Sequence, residues 1–199
     1  MRTLAAEIAQ ALRAPLDLVL VRKIGAPFQE ELAIGAVANG GQAVTVRNDD
    51  VIRMLGVDDR TFDAIRDRQL AEIERRRAAY LQGRPTQDLK GRIAVVVDDG
   101  VATGATTRAA LRAVRARGPA KLVLATPVAP TDVLAELRRE ADEVVCLETH
   151  AAFGAIGFYY ADFSQVSDEQ VTGILSRSSA WVEHPAPATR KGSPRHRPF

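Results

Sequence analysis

Apolar positions along the chain fall into two alternating kinds of segment. Leu4, Ile8, Ala11 and Leu12 recur at helical spacing, and the nearly continuous apolar run "LDLVLVRKI" that follows reads as a buried strand. Asp58 or Asp59 can cap a long polar helix through about Gln82, with Phe62, Ile65 and Ile73 inward and Glu72 placed to pair with Arg76 one turn on. Ile93 to Val97 form another apolar run, followed by a helix from about Thr106 that stops at Gly118-Pro119. "AKLVLATPV" predicts a strand, Thr131 to Glu140 a helix and "DEVVCLE" a further strand. Ser167 and Gln170 have the spacing of a capping box that opens a last helix through about Arg177. Strands that are apolar throughout, separated by helices, indicate a doubly wound α/β fold: a parallel sheet covered on both faces.

One stretch departs from this alternation. Between Gly25 and Asp58 the strand candidates "LAIGAV" and "AVTV" are separated by Asn-Gly-Gly, a hairpin signal, which predicts a mobile hairpin beside the sheet. At 199 residues, 46% of them hydrophobic, the chain has material for one core and little more. Residues 1–178 are expected to form that domain. The tail 179–199 carries Arg190, Lys191, Arg195 and Arg197 against Glu183, with several prolines and few apolar residues, the composition of a disordered end. Without those charges the body is slightly acidic and has no basic footprint, so nucleic acid is not an expected partner. No apolar run approaches the ~20 residues that span a bilayer, and the opening residues lack the pattern of a signal peptide. A cytoplasmic protein with no membrane partner is the expectation. Cys146, the sole cysteine, sits in an apolar run and reads as a buried small hydrophobe; disulfides and cysteine-based zinc sites are excluded. Trp181 is expected to dock on the body or on a second subunit.

The candidate chemistry lies in "IAVVVDDGVATGATTRAALRAV", Ile93 to Val114. In a parallel sheet, ligands bind beyond the carboxyl ends of the strands, where Asp98 and Asp99 are placed. The segment that follows turns into a helix, whose first amides and positive end make an anion site. Thr103, Thr106 and Thr107 add hydroxyl donors, while Gly100, Gly104 and Ala105 let a ligand approach the backbone. Such a loop fits a phosphate, and the two aspartates fit sugar hydroxyls or a magnesium ion. The lysine of a P-loop and the G-x-G-x-x-G of a dinucleotide fold are both absent from this segment. A receiver domain would need another aspartate at a later strand end, which "VLATPVA" does not supply.

Four apolar residues, Asp-Asp and "GVATGATT" resemble the phosphoribosyl pyrophosphate (PRPP) motif of type I phosphoribosyltransferases. The wider pattern "LDLVLVRKIGAP…ELAIGAV", "VVVDDGVATGATT" and "FYYADFSQVSD" resembles a bacterial subgroup of that family, over Leu4 to about Leu175. The resemblance implies that Asp98 and Asp99 hold the ribose hydroxyls and magnesium, and that Ala102, Thr103, Gly104, Ala105, Thr106 and Thr107 cradle the 5′-phosphate. It further implies displacement of pyrophosphate at ribose C1 by a nucleobase or related small-molecule acceptor. Arg22 and Lys23, at the end of their strand, are the candidates for pyrophosphate contacts. Phe153, Phe158, Tyr159 and Tyr160 resemble the family's hood, with Phe158 and Tyr159 as candidates for stacking on the acceptor; His150 is assigned no role. The Gly25–Asp58 hairpin would close over the substrates and exclude water. A homodimer is open, since dimers are common in the family.

Two departures qualify the resemblance. Members acting on 6-oxopurines carry an aspartate in the loop where this sequence has Ala102, and "ATG" is closer to adenine and uracil enzymes. Family members also place a strand and a pyrophosphate-binding loop, often Arg-Gly-Gly, ahead of the first helix; here Met1 leads almost directly into that helix. The missing strand would lie mid-sheet, leaving two hydrogen-bonding edges without partners. A truncated or misassigned reading frame is therefore expected. The alternative to a transferase is a non-catalytic PRPP- or nucleotide-binding regulator, or a truncated inactive homologue.

Overall fold

The computed structural model describes residues 3–39, 43–84, 86–164, 166–178 and 181, and its strands divide into two sheets of three. Helix α1 (Leu4–Leu12) leads to β1 (Leu20–Ala26), β2 (Gln29–Asn39) and β3 (Ala43–Arg47), paired antiparallel in the order β1-β2-β3. Two helices follow, α2 (Asp49–Leu55) and α3 (Asp59–Leu81). The second sheet is parallel: β4 (Ile93–Val97), β5 (Lys121–Pro130) and β6 (Glu143–His150), connected through α4 (Ala105–Arg115) and α5 (Thr131–Leu137). A single 3-10 turn (Ile156–Tyr159) and α6 (Asp168–Ser178) complete the described elements.

Local signals account for most boundaries. The Asp58 carboxylate accepts the Thr61 N–H at 2.7 Å and starts α3, and Glu72 pairs with Arg76 at 2.7 Å as the four-residue spacing predicts. The capping box at α6 forms in both directions: the Gln170 N–H donates to the Ser167 hydroxyl, and the Ser167 N–H donates to the Gln170 side chain. Helix α2 has no counterpart among the elements expected from periodicity. Its signal is short: Asn48 caps the start, and Gly56 ends it in the left-handed conformation.

Helix α4 holds the two sheets together. Leu111 and Val114 pack with Ala94, Leu122 and Leu124 of the parallel sheet, while Ala109 and Ala113 pack with Ala36, Ala38 and Val46 of the antiparallel one. Helix α3 covers the opposite face of the antiparallel sheet through Phe62, Ile65 and Ile73, so helices lie on both sides. Among the described residues no hydrogen-bonded ladder joins β1 to β4. A cavity of about 780 Å³ lies there, lined by Leu18–Val21 on one side and Ile93–Asp98 on the other. Their leading ends are nevertheless tied, because the Asp17 carboxylate accepts the Gln87 N–H at 3.0 Å and meets the Arg117 guanidinium at 3.5 Å. The edges with no strand between them are those expected from the sequence.

This cavity also changes the reading of α1. Ala6 and Ala9 are its buried residues, whereas Leu12 is exposed and lines the cavity together with Ile8. The predicted apolar stripe is real, but it faces open space. On the parallel sheet, the face turned away from α4 leaves Ile93, Val95, Val145 and Leu147 exposed.

The hairpin expected to be mobile proves to be core. Asn39 and Ala43 are paired partners, so β2 and β3 do form a hairpin. Strand β2 is also paired along β1, and Ile34, Ala36, Val37 and Ala38 are fully buried under α3 and α4. A segment packed on both faces cannot swing without unfolding the sheet. In the β1–β2 turn, by contrast, Phe28 is fully exposed. The tail expectation lies outside the described residues except for Trp181, which is half-buried.

Substitutions distinguish anchor from tip. Ile34→Ala, deleting a fully buried side chain, is expected to cost roughly 2–5 kcal/mol in urea unfolding, while Phe28→Ser should stay within about 0.5 kcal/mol. A large loss at residue 28 with none at residue 34 would reverse this assignment.

Candidate active site

The site grows from the end of β4. Beyond Val97 the chain stays tied to β5 at two points: the Asp98 N–H donates to the Ala125 carbonyl and the Val101 N–H to the Val128 carbonyl, each at 3.0 Å. Between them lie Asp99, exposed in a bend, and buried Gly100. The loop then closes on α4 through Gly104, whose φ of 74° lies in the left-handed region that glycine adopts without strain. A Cβ there would also stand 2.8 Å from a Val133 methyl, so the position is restricted twice. No side chain caps α4, which leaves its first turn to an external acceptor.

The two aspartates differ in environment. The Asp98 carboxylate accepts the hydroxyl of buried Thr107 at 2.7 Å, which fixes it against the first turn of α4. Asp99 reaches solvent, yet the protein packed behind it, followed by the neighbouring Asp98 charge, pushes its carboxyl above the ordinary range. Over this pair lies the segment after β6. Tyr160 donates its hydroxyl to the Asp99 carbonyl, and Ile156 covers Gly100 so closely that a Cβ there would meet its methyl carbon at 2.5 Å. On the other side of that segment, Tyr159 stacks on Phe153 at 5.1 Å and lies against His150 at 4.8 Å.

The pattern of the family described as "Phosphoribosyl transferase domain" matches residues 2–162. The chain belongs to this family. Two Mycobacterium tuberculosis proteins provisionally named phosphoribosyl transferases, MT0597 of strain CDC 1551 / Oshkosh and Rv0571c of strain ATCC 25618 / H37Rv, are similar to it. Each is 49% identical over 174 residues, which is 87% of this chain and 39% of the relative, so the chain spans about two fifths of their length. The crystal structure of TT1426 from Thermus thermophilus is similar as well, at 41% identity and a TM-score of 0.70, covering 86% of this chain and 80% of that one. The mixed α/β architecture with its parallel sheet is that of type I phosphoribosyltransferases.

Within this phosphoribosyl transferase domain, the sequence-derived residues separate into groups. Asp98, Asp99 and the loop from Ala102 to Thr107 are contiguous, with Ala102, Thr103 and Thr106 exposed at the surface. Thr107 differs from the expectation: its hydroxyl is committed to Asp98, so only its backbone belongs to the open first turn. Arg22 and Lys23 stand on β1, across the cavity from β4. The Arg22 side chain donates to Gln69 at 2.9 Å, and Lys23 pairs with Glu31 at 3.0 Å, so both are engaged away from the acidic pair. Phe158 is 83% exposed and folds over Gly154, whereas Tyr159 is held between Phe153 and His150. Cys146, expected to be buried, is only half-buried, with its thiol pushed up by burial. No helix of the described residues is long and apolar enough to cross a membrane.

Sequence reasoning missed the contacts of Thr107, Ile156 and Tyr160. Tyr160 was visible only as one of several aromatics, and nothing in its spacing pointed to Asp99.

A carboxyl raised in the folded state makes folding weaker, not stronger, as pH climbs from the unfolded value of 3.8 through the folded one. Asp99→Asn should therefore melt higher than the parent near neutral pH, with the gain vanishing below pH 3.8. Melting curves from acid to neutral pH check this; a gain that is constant with pH would remove the charge argument.

Proposed function

We propose that this domain binds PRPP and transfers its phosphoribosyl group to a nucleobase or related amine with release of pyrophosphate. The observation that carries the reading is the uncapped start of α4 beside an acidic pair whose outer carboxyl is pushed above its ordinary range by burial and by its neighbour. Backbone amides from Ala102 to Thr107, with the hydroxyls of Thr103 and Thr106, would donate to the 5′-phosphate. Asp99 and Asp98 would accept from the ribose 2′- and 3′-hydroxyls. The C1–oxygen bond to pyrophosphate breaks as a C1–nitrogen bond to the acceptor forms, and the acceptor's proton leaves to solvent. Arg22 and Lys23 are the candidate pyrophosphate contacts, reaching it only after leaving Gln69 and Glu31. Phe158, exposed on the hood, and Tyr159 behind it are the candidates for the acceptor's ring.

The donor set suits magnesium, a hard cation that favours carboxylate oxygens and retains several waters. Among the described residues no group of three or more acidic, histidine or cysteine side chains is placed to hold a metal. Asp98 and Asp99 would thus hold it together with ribose hydroxyls or water, and when bound it supplies charge neutralisation to the departing pyrophosphate.

A second reading, PRPP binding without turnover, is favoured by the engagement of Arg22 and Lys23 elsewhere. Purified protein incubated with PRPP, magnesium and a panel of nucleobases separates the two: pyrophosphate release with one base identifies a transferase, and binding without turnover supports a sensor or a truncated inactive homologue. For Asp99→Ala, the loss of charge-assisted bonds to hydroxyls predicts PRPP affinity about ten- to hundred-fold weaker with folding intact. Undiminished binding would refute the ribose assignment.

A further inference from the structure

We infer that Tyr160 is a positioning residue for Asp99, clasping the turn between the acidic pair and the phosphate loop from the outside. The inference rests on the proposed binding of a phosphorylated ribose. Its starting point is an asymmetry in how the two aspartates are held. Asp98 is fixed twice, by its N–H on Ala125 and by the Thr107 hydroxyl on its carboxylate. The Asp99 carboxyl instead hydrogen-bonds its own amide and the neighbouring Asp98 side chain, both within the same turn. Asp99 lies between the anchored amides of Asp98 and Val101. The peptide that follows it is where another element takes hold of this turn.

That peptide is gripped by the segment after β6. The Tyr160 hydroxyl donates to the Asp99 carbonyl, and Ile156 seals the neighbouring Gly100 Cα so tightly that no side chain fits there. The tyrosine is braced in turn: its ring lies 5.1 Å from that of Phe163, which packs over Gly157 within the same segment. Burial, and after it the charges of Asp99 and Asp98, push the phenol above its ordinary range, so it remains a donor at working pH. Because the donor is spent on a backbone carbonyl and not on a carboxylate, both acidic groups stay available to a ligand. The same segment carries the Tyr159 stack and exposed Phe158 on its other side, so anything bound against those rings also bears on Asp99.

A clasp on Asp99 acts on the sugar and not on the phosphate, which meets the start of α4. Tyr160→Phe removes only the hydroxyl. Calorimetric titration of the purified chain with ribose 5-phosphate and, separately, with inorganic phosphate reads the two subsites. The expected result is ribose 5-phosphate bound about five-fold more weakly, as for the loss of one hydrogen bond, with phosphate affinity unchanged. Unchanged ribose 5-phosphate affinity, or a parallel loss of both ligands, would overturn the inference; the second outcome marks a merely structural role. Ile156→Ala, which opens the space over Gly100, should give the same selective loss and serves if Tyr160→Phe does not fold. Failure of the unsubstituted protein to bind either ligand would overturn the phosphoribosyl reading itself, a result distinct from equal binding by parent and variant.

Discussion

The packing of α4 across two sheets is the interaction on which the remainder of the molecule depends. Its Leu111 and Val114 bury against the parallel sheet, its Ala109 and Ala113 against the antiparallel one, and small residues on that second side let the backbones approach. With no ladder between β1 and β4 among the described residues, this helix supplies the shared core that a continuous sheet would otherwise provide. Its first turn is also the candidate phosphate site. Mechanical and chemical roles thus fall on one element: a rigid, doubly packed helix holds its own uncapped amides still, which is what preorganised binding of an anion requires.

Around that helix end the protein places groups that work against stability. Two adjacent carboxylates repel, and the outer one is pushed above its normal range by burial and by its neighbour. Thr107 and Tyr160 offset part of this by fixing one carboxylate and one carbonyl, without neutralising either charge. An unrelieved charge pair kept in this way is a common mark of a functional site, because the ligand or cation supplies the missing compensation. The cavity between β1 and β4 is a different kind of feature. Arg22 and Lys23, beyond its lining, are engaged with Gln69 and Glu31, so the pyrophosphate side of the proposed chemistry is less assembled than the ribose side.

The likeness to relatives is consistent with this division. Identity of 41–49% extends over most of the chain, and the chain in turn spans 39% of the Mycobacterium tuberculosis relatives and 80% of the Thermus thermophilus structure. A match of that extent carries the fold. It does not select an acceptor, since the hood residues that would face one differ in exposure: Phe158 is open, and Tyr159 is enclosed.

The sequence by itself determined what local chemistry controls. Asp58 and Ser167 start their helices because a capping oxygen needs only the next turn, and the apolar runs become β4, β5 and β6, although one face of that sheet leaves Ile93, Val95, Val145 and Leu147 exposed. The placement of Asp98, Asp99 and the loop through Thr107 was legible for the same reason: strand end, turn and helix start are contiguous in the chain. Only the tertiary structure decided what depends on partners distant in sequence. Ile34 and Val37 look like any hairpin residues until α2 and α3 close over them, and Leu12 looks like core until its stripe is found facing a cavity. The bond from Tyr160 to Asp99 spans 61 residues, and no periodicity encodes such a meeting. Spacing along a chain specifies which way a side chain points; what waits there is fixed by how the elements pack.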